Sequence, residues 1–196
     1  SMLAVGAYNA IRYYGKLRQF AEMEEWASRS LPLLTQDSLQ NCFLLQRAIV
    51  MSAGEAMLYY GLEGRFVALE KWGAIVQSAA ASERWSDELQ IQRHVAIAAV
   101  NAIAAYGIKG RIESARTWES TLVSLARNKL LANAVEIQSE MARGAANAIA
   151  NHGTKGRFNE LEKWGDRLAS LARNAKWQDE SAIQQAWSDA ANNDVD

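Results

Sequence analysis

The chain has one cysteine, Cys42, one proline, Pro32, and two histidines, His94 and His152, among 196 residues. A single thiol excludes an internal disulfide and a thiolate metal cage, and it fits a reducing compartment. The two histidines stand at no metal-ligand spacing. No phosphate loop, dinucleotide fingerprint or nucleophile elbow occurs. No catalytic residue, metal or cofactor is therefore expected, and the chain is not read as an enzyme. A formal charge of -1 lacks the basic footprint of a nucleic-acid binder. Apolar runs are broken by Arg, Glu or Gln well short of the roughly 18 residues a membrane span needs. No charged start leads into the apolar core of a signal peptide. What remains is a globular composition, 49% hydrophobic and 22% charged, whose seven tryptophans and scarce proline point to helices with large packing anchors.

The strongest feature is repetition. "NAIRYYGKLRQ", "EAMLYYGLEGR", "NAIAAYGIKGR" and "NAIANHGTKGR" begin at Asn9, Glu55, Asn101 and Asn147, a constant step of 46 residues. The same step carries Gly15, Gly61, Gly107 and Gly153, then Trp26, Trp72, Trp118 and Trp164, and Gln46, Gln92, Gln138 and Gln184. Columns that hold register along a whole chain define repeat units. They are placed at about 1–40, 41–86, 87–132 and 133–178, with a partial unit at 179–196. The chain is expected to be one repeat domain and a piece of a longer array.

Each unit reads as two helices. Ile91, Val95, Ala99, Ile103 and Tyr106 recur at helical spacing and predict a buried first-helix stripe over about 87–107. The column Asn41, Asp87, Asn133, Asp179 supplies expected N-caps, with Gln90 and Glu136 placed for capping boxes. Gly64, Gly110 and Gly156 are expected to end the first helices in the left-handed conformation, with Arg18 in their place in the first unit. Leu161, Trp164, Leu168 and Leu171 predict the buried stripe of a second helix. Pro32 is expected to end or kink the first of these. One such hairpin cannot cover its own apolar face, so stacked neighbours must do so.

The stretch "AYGIKGRIESA" resembles the tetratricopeptide repeat, matching its tyrosine at Tyr106, its turn glycine at Gly110 and its second-helix alanine at Ala115. The standard unit has about 34 residues; this one is longer, Ile11, Met57, Ile103 and Ile149 replace the family's small residue, and the closing proline is missing. The pattern is also similar to bacterial tandem arrays of the type NAIxxYGxxGRxxELEKW, some attached to signalling NTPase domains. The resemblance implies an all-α fold: an α-solenoid of antiparallel helix pairs, a right-handed superhelix of about nine helices, in the bacterial cytoplasm.

It also implies a concave groove lined by the first helices, with Asn101 at the position that holds a peptide backbone. The equivalents of Asn101 are Asn9, Glu55, Asn147 and Asn193. An amide offers both donors and an acceptor, so a row of asparagines can grip a main chain whatever its side chains; the same amides could instead fix repeat packing. On that face lie Ile97 and Arg93, their equivalents Met51, Arg47 and Arg143, and nearby His94 and Arg12. Arginines there suit a carboxylate or phosphate, and Met51, Ile97 and Tyr8 suit apolar side chains. The expected partner is a protein or peptide, with acidic groups as one possibility. The tryptophan column is read as core, and Trp187 is expected to be exposed. Arg65, Arg111 and Arg157, with Lys109 and Lys155, form a basic edge that neighbouring glutamates can neutralise. The other reading is a structural spacer or a self-association module acting through truncated terminal repeats.

Overall fold

The structure, a computed structural model, describes residues 2–35, 39 and 41–192. These residues form nine α-helices and no strand. First and second helices alternate: α1 (Met2–Lys16), α2 (Phe20–Ser30), α3 (Phe43–Leu62), α4 (Phe66–Ala81), α5 (Leu89–Ile108), α6 (Ile112–Arg127), α7 (Val135–Gly153), α8 (Phe158–Ala172) and α9 (Ser181–Asn192). Two compact units result, Ser1–Ala98 and Ala99–Asp196, and the division falls inside α5.

The sequence columns become recurring local structures. Gly64, Gly110 and Gly156 have φ of 70°, 71° and 65°, and Arg18 adopts the same conformation at 58°. At each of these turns the next residue's amide reaches back to the carbonyl of Tyr14, Tyr60, Tyr106 or His152, at 2.8–2.9 Å. This paired closure satisfies carbonyls that a helix end otherwise leaves open. Pro32 falls in a 3-10 turn, Leu31–Thr35, directly after α2, as its missing N–H requires.

The helix starts differ from expectation. The first carbonyls accepting helical bonds belong to Cys42, Glu88, Ala134 and Glu180, one residue beyond the Asn/Asp column. No side-chain cap forms at Cys42 or Ala134. The physical reason is a turn that precedes each helix. Leu39, Trp85, Leu131 and Trp177 anchor it, and each carbonyl accepts the amide three residues on. That extra turn shifts the cap along the chain. Asn133 instead accepts a hydrogen bond from Lys176 Nζ at 2.6 Å. The glutamine column secures the same turn: Gln92 donates to the Trp85 carbonyl, Gln138 to those of Ala126 and Ala132, and Gln184 to that of Ala172.

In the unit Ser1–Ala98, α1 packs on α2 and α3, and α3 packs on α4. Met23, Met57, Tyr60, Leu69 and Trp72 are buried there. Gly15 permits the close approach of α1 and α3, since a Cβ at that position would stand 2.1 Å from the Tyr59 ring. The Glu24 carboxylate accepts hydrogen bonds from the Tyr60 hydroxyl and Trp72 Nε1 and pairs with Lys71. Burial pushes that carboxyl up, but the bonds from Tyr60, Lys71 and Trp72 outweigh it and leave Glu24 below its ordinary pKa.

In the unit Ala99–Asp196, α7 packs on α6, α8 and α9. Gly107 takes the role of Gly15, with the Asn151 amide 1.8 Å from where its Cβ would be; Asn151 also donates to the Ile103 carbonyl. Glu119 joins His152 Nε2 at 3.1 Å and accepts from Trp164 Nε1 at 3.3 Å. This group is interior: His152 is 0% exposed and Glu119 7%. His152 therefore does more than fill its tyrosine column. Trp72, Trp118 and Trp164 are core residues, whereas Trp26 is half-buried.

Candidate functional site

The first helices α3 and α7 are buried over most of their surface, and the side chains left accessible line the space between α1 and α3 and between α7 and α9. Val5, Tyr8 and Asn9 of α1 and Leu44, Arg47, Ala48 and Met51 of α3 enclose a groove of about 300 Å³. Its walls are mainly apolar, and Leu44 is exposed along it. Arg47 is the one cation among its lining residues, and its Nε is buried without a hydrogen-bond partner.

Further along α1 and α3, Arg12, Tyr8, Glu55 and Tyr59 bear on one another. Burial first, then Glu55, holds the Tyr59 hydroxyl above its ordinary pKa, and Arg12 opposes this. At the other side of α3, His94 on α5 is half-buried near Arg47 and Arg93. Burial pushes the His94 pKa down to about 4, and the two guanidinium charges push in the same direction.

The unit Ala99–Asp196 has its own groove, of about 590 Å³, between α7 and α9. Arg143, Asn147, Gln185, Asp189 and Asn192 line it over a floor of alanines. Arg143 is held by Glu140, at 2.7 Å and 3.0 Å to its two oxygens. Gln185 donates to Asp189 at 2.7 Å.

The two grooves occupy the same repeat positions. Every residue lining the first has its counterpart three repeats on in the second: Asn9 with Asn147, Arg47 with Gln185, Met51 with Asp189, Val5 with Arg143. The candidate residues therefore fall into two sets. Asn9 and Met51 line the first groove, with Arg12 and Glu55 further along the same helices and Arg93, His94 and Ile97 on α5. Asn147 and Arg143 line the second. Asn101 is half-buried on α5, and Asn193 lies outside the described residues. Gln185, Asp189 and Asn192 were not among the expected residues; projecting Arg47, Met51 and Gly54 forward by three repeats finds them.

The three arginines of the basic edge are engaged within the chain. Arg65 lies 4.5 Å from the Phe20 ring, Arg111 lies 5.7 Å from the Tyr106 ring, and Arg157 donates to Glu113 at 3.0 Å. Among the described residues no group of three His, Cys, Asp or Glu could hold a metal, and no helix is long and apolar enough to cross a membrane. Comparison of the chain with protein-family models, with curated proteins and with solved structures finds no match.

Proposed function

We propose that the chain is a peptide-binding scaffold, a tetratricopeptide-like α-solenoid whose first helices present a groove to an extended partner. One observation carries this reading: two separately formed grooves lie at identical repeat positions, each with an asparagine from its leading helix, Asn9 or Asn147. A main chain could be held by those amides while the flanking positions read its side chains. A rigid, preformed groove lowers the ordering cost of such binding. The test is a peptide screen on the full chain, followed by the double substitution Asn9→Ala and Asn147→Ala. Asn9 is exposed and Asn147 only half-buried, so the melting curve should hold while affinity falls at least tenfold. A screen without binders, or a double variant that binds normally, defeats the reading.

Self-association is the second reading, and Trp187 favours it. Trp187 is 37% exposed, whereas Ile49, Val95 and Met141 in the same column are buried. Sedimentation of the Trp187→Gln variant decides: loss of an oligomer supports that reading, and a monomeric parent chain ends it.

A further inference from the structure

We infer that the tight-turn end of each unit docks on an anionic lipid bilayer, with exposed lysines on the headgroups and exposed aliphatic side chains in the acyl boundary. This goes beyond the peptide-groove reading and does not depend on it.

The tight turns, residues 17–19, 63–65, 109–111 and 154–157, join first helices to second helices. In the unit Ser1–Ala98 two of them sit side by side. Arg18 pairs with Glu63 at 3.1 Å, and the Arg65 guanidinium lies 4.5 Å from the Phe20 ring. Leu17, Leu62 and Val67 protrude at this end. In the unit Ala99–Asp196 the other two are likewise adjacent. Arg157 donates to Glu113 at 3.0 Å, and Lys155 Nζ lies 3.3 Å from where a Gly110 Cβ would be. Ile108 and Phe158 protrude there. These five side chains are between 51% and 85% exposed. The opposite ends of the hairpins do the reverse. Trp85, Leu131 and Trp177 are turned inward, Leu44 lines the groove, and Leu130 is the one exposed large apolar residue of those turns among the described residues.

Charge has the same polarity. In one unit the tight turns bring Lys16, Arg18 and Arg65 together against Glu63. In the other they bring Lys109, Arg111, Lys155 and Arg157 together and hold no acidic residue of their own. The whole chain carries -1, so these ends are basic on an otherwise acidic molecule. The arginines are engaged within the chain, which leaves Lys16, Lys109 and Lys155 as the available cations. All three are exposed, and none has an ion pair among the described residues. Ammonium groups are drawn to the negative potential of anionic headgroups, and apolar tips gain by entering the acyl boundary. Such peripheral contact needs no spanning helix. Nucleic acid fits less well. The arginines that would fork onto phosphate are occupied, and four of the five apolar residues have no ring on which a base could stack.

Flotation of the full chain with vesicles tests this. Vesicles of phosphatidylcholine with about one third phosphatidylserine should bind roughly tenfold more tightly than phosphatidylcholine alone. Raising salt from about 0.1 M to about 1 M should release most of the protein. The triple variant Lys16→Gln, Lys109→Gln, Lys155→Gln should bind roughly tenfold less, with an unchanged melting curve because all three side chains are exposed. Val67→Ser with Ile108→Ser should weaken vesicle binding by roughly threefold or more and leave any binding to single-stranded DNA unaltered. Lys129→Gln, at the opposite end, should change nothing. No preference for anionic vesicles, or a loss from Lys129→Gln equal to that of the triple variant, overturns the inference. Tighter binding to single-stranded DNA than to vesicles also overturns it and assigns the surface to nucleic acid. Full binding by the serine double variant overturns it as well, since charge alone would then act. The peptide screen decides the groove reading separately.

Discussion

In one unit the Glu24 carboxylate joins Tyr60 to Trp72; in the other Glu119 joins His152 to Trp164. Tyr60 and His152 share a repeat position, and so do Trp72 and Trp164, yet the carboxylates do not. Two repeats on from Glu24 stands Arg116, and Glu119 lies three residues beyond it. An imidazole reaches less far than a phenol, so the acceptor comes from one helical turn further along the preceding second helix. The surroundings changed as well. Glu24 keeps contact with solvent and with Lys71, whereas Glu119 is enclosed. The repeat fixes which positions must be bridged; the side chain that does the bridging is free to move by a turn.

Removing each carboxylate sharpens the contrast. Glu119→Ala leaves His152 and Trp164 buried without their acceptor and should cost about 3 kcal/mol or more in denaturant unfolding. Glu24→Ala should cost less, about 1–2 kcal/mol, because truncating a side chain that already faces solvent opens a path for water to the buried Tyr60 hydroxyl. Equal losses would mean that the two bridges do not differ as described. Transplantation is the stricter trial: Arg116→Glu and His152→Tyr added to Glu119→Ala rebuild the Glu24 arrangement and should restore about half of the lost stability or more.

Next in size are the close helix contacts. Gly15→Ala and Gly107→Ala should each cost about 1–3 kcal/mol, since the new methyl group meets the Tyr59 ring or the Asn151 amide. Acid should then weaken the protein through His94. Its folded pKa is depressed, so below about 6.5 the unfolded chain binds the proton that the folded chain refuses. Stability should fall as pH drops from about 6.5 to about 4, by roughly 1–2 kcal/mol once partial exposure is allowed for. His94→Gln should remove that part of the slope in melts recorded across the window. Smallest, Arg18→Gly should stabilise by about 1 kcal/mol by relieving a left-handed side chain, whereas Gly156→Ala should destabilise by a similar amount.

Legibility in the sequence followed one rule: residue types that recur could be read, and residue roles that recur under different types could not. The glycine turns, the break at Pro32 and the buried Trp72, Trp118 and Trp164 were readable because one side chain meets one physical need. Trp85 and Trp177 fall outside the tryptophan column, and their own column is completed by Leu39 and Leu131, which do the same anchoring with different atoms. Glu119 was hidden because its column holds Ala27, Gly73 and Gly165, and nothing in that series points to a buried acid. The capping column was misplaced for another reason: the turn anchored on Leu39 takes in Asn41, and the helix starts from Cys42, one residue beyond it. Within the grooves, Asn9, Met51, Arg143 and Asn147 came from the tetratricopeptide resemblance carried along the 46-residue step, whereas Gln185 and Asp189 share no chemistry with Arg47 and Met51 and leave no periodic trace.

The glutamine clamps carry a practical consequence. Gln138 and Gln184 each reach back across a boundary drawn at the 46-residue step. A module excised at that seam would lose its own fastening, so anyone shortening or extending this protein should cut within a Gly64-type hinge and carry the preceding second helix along.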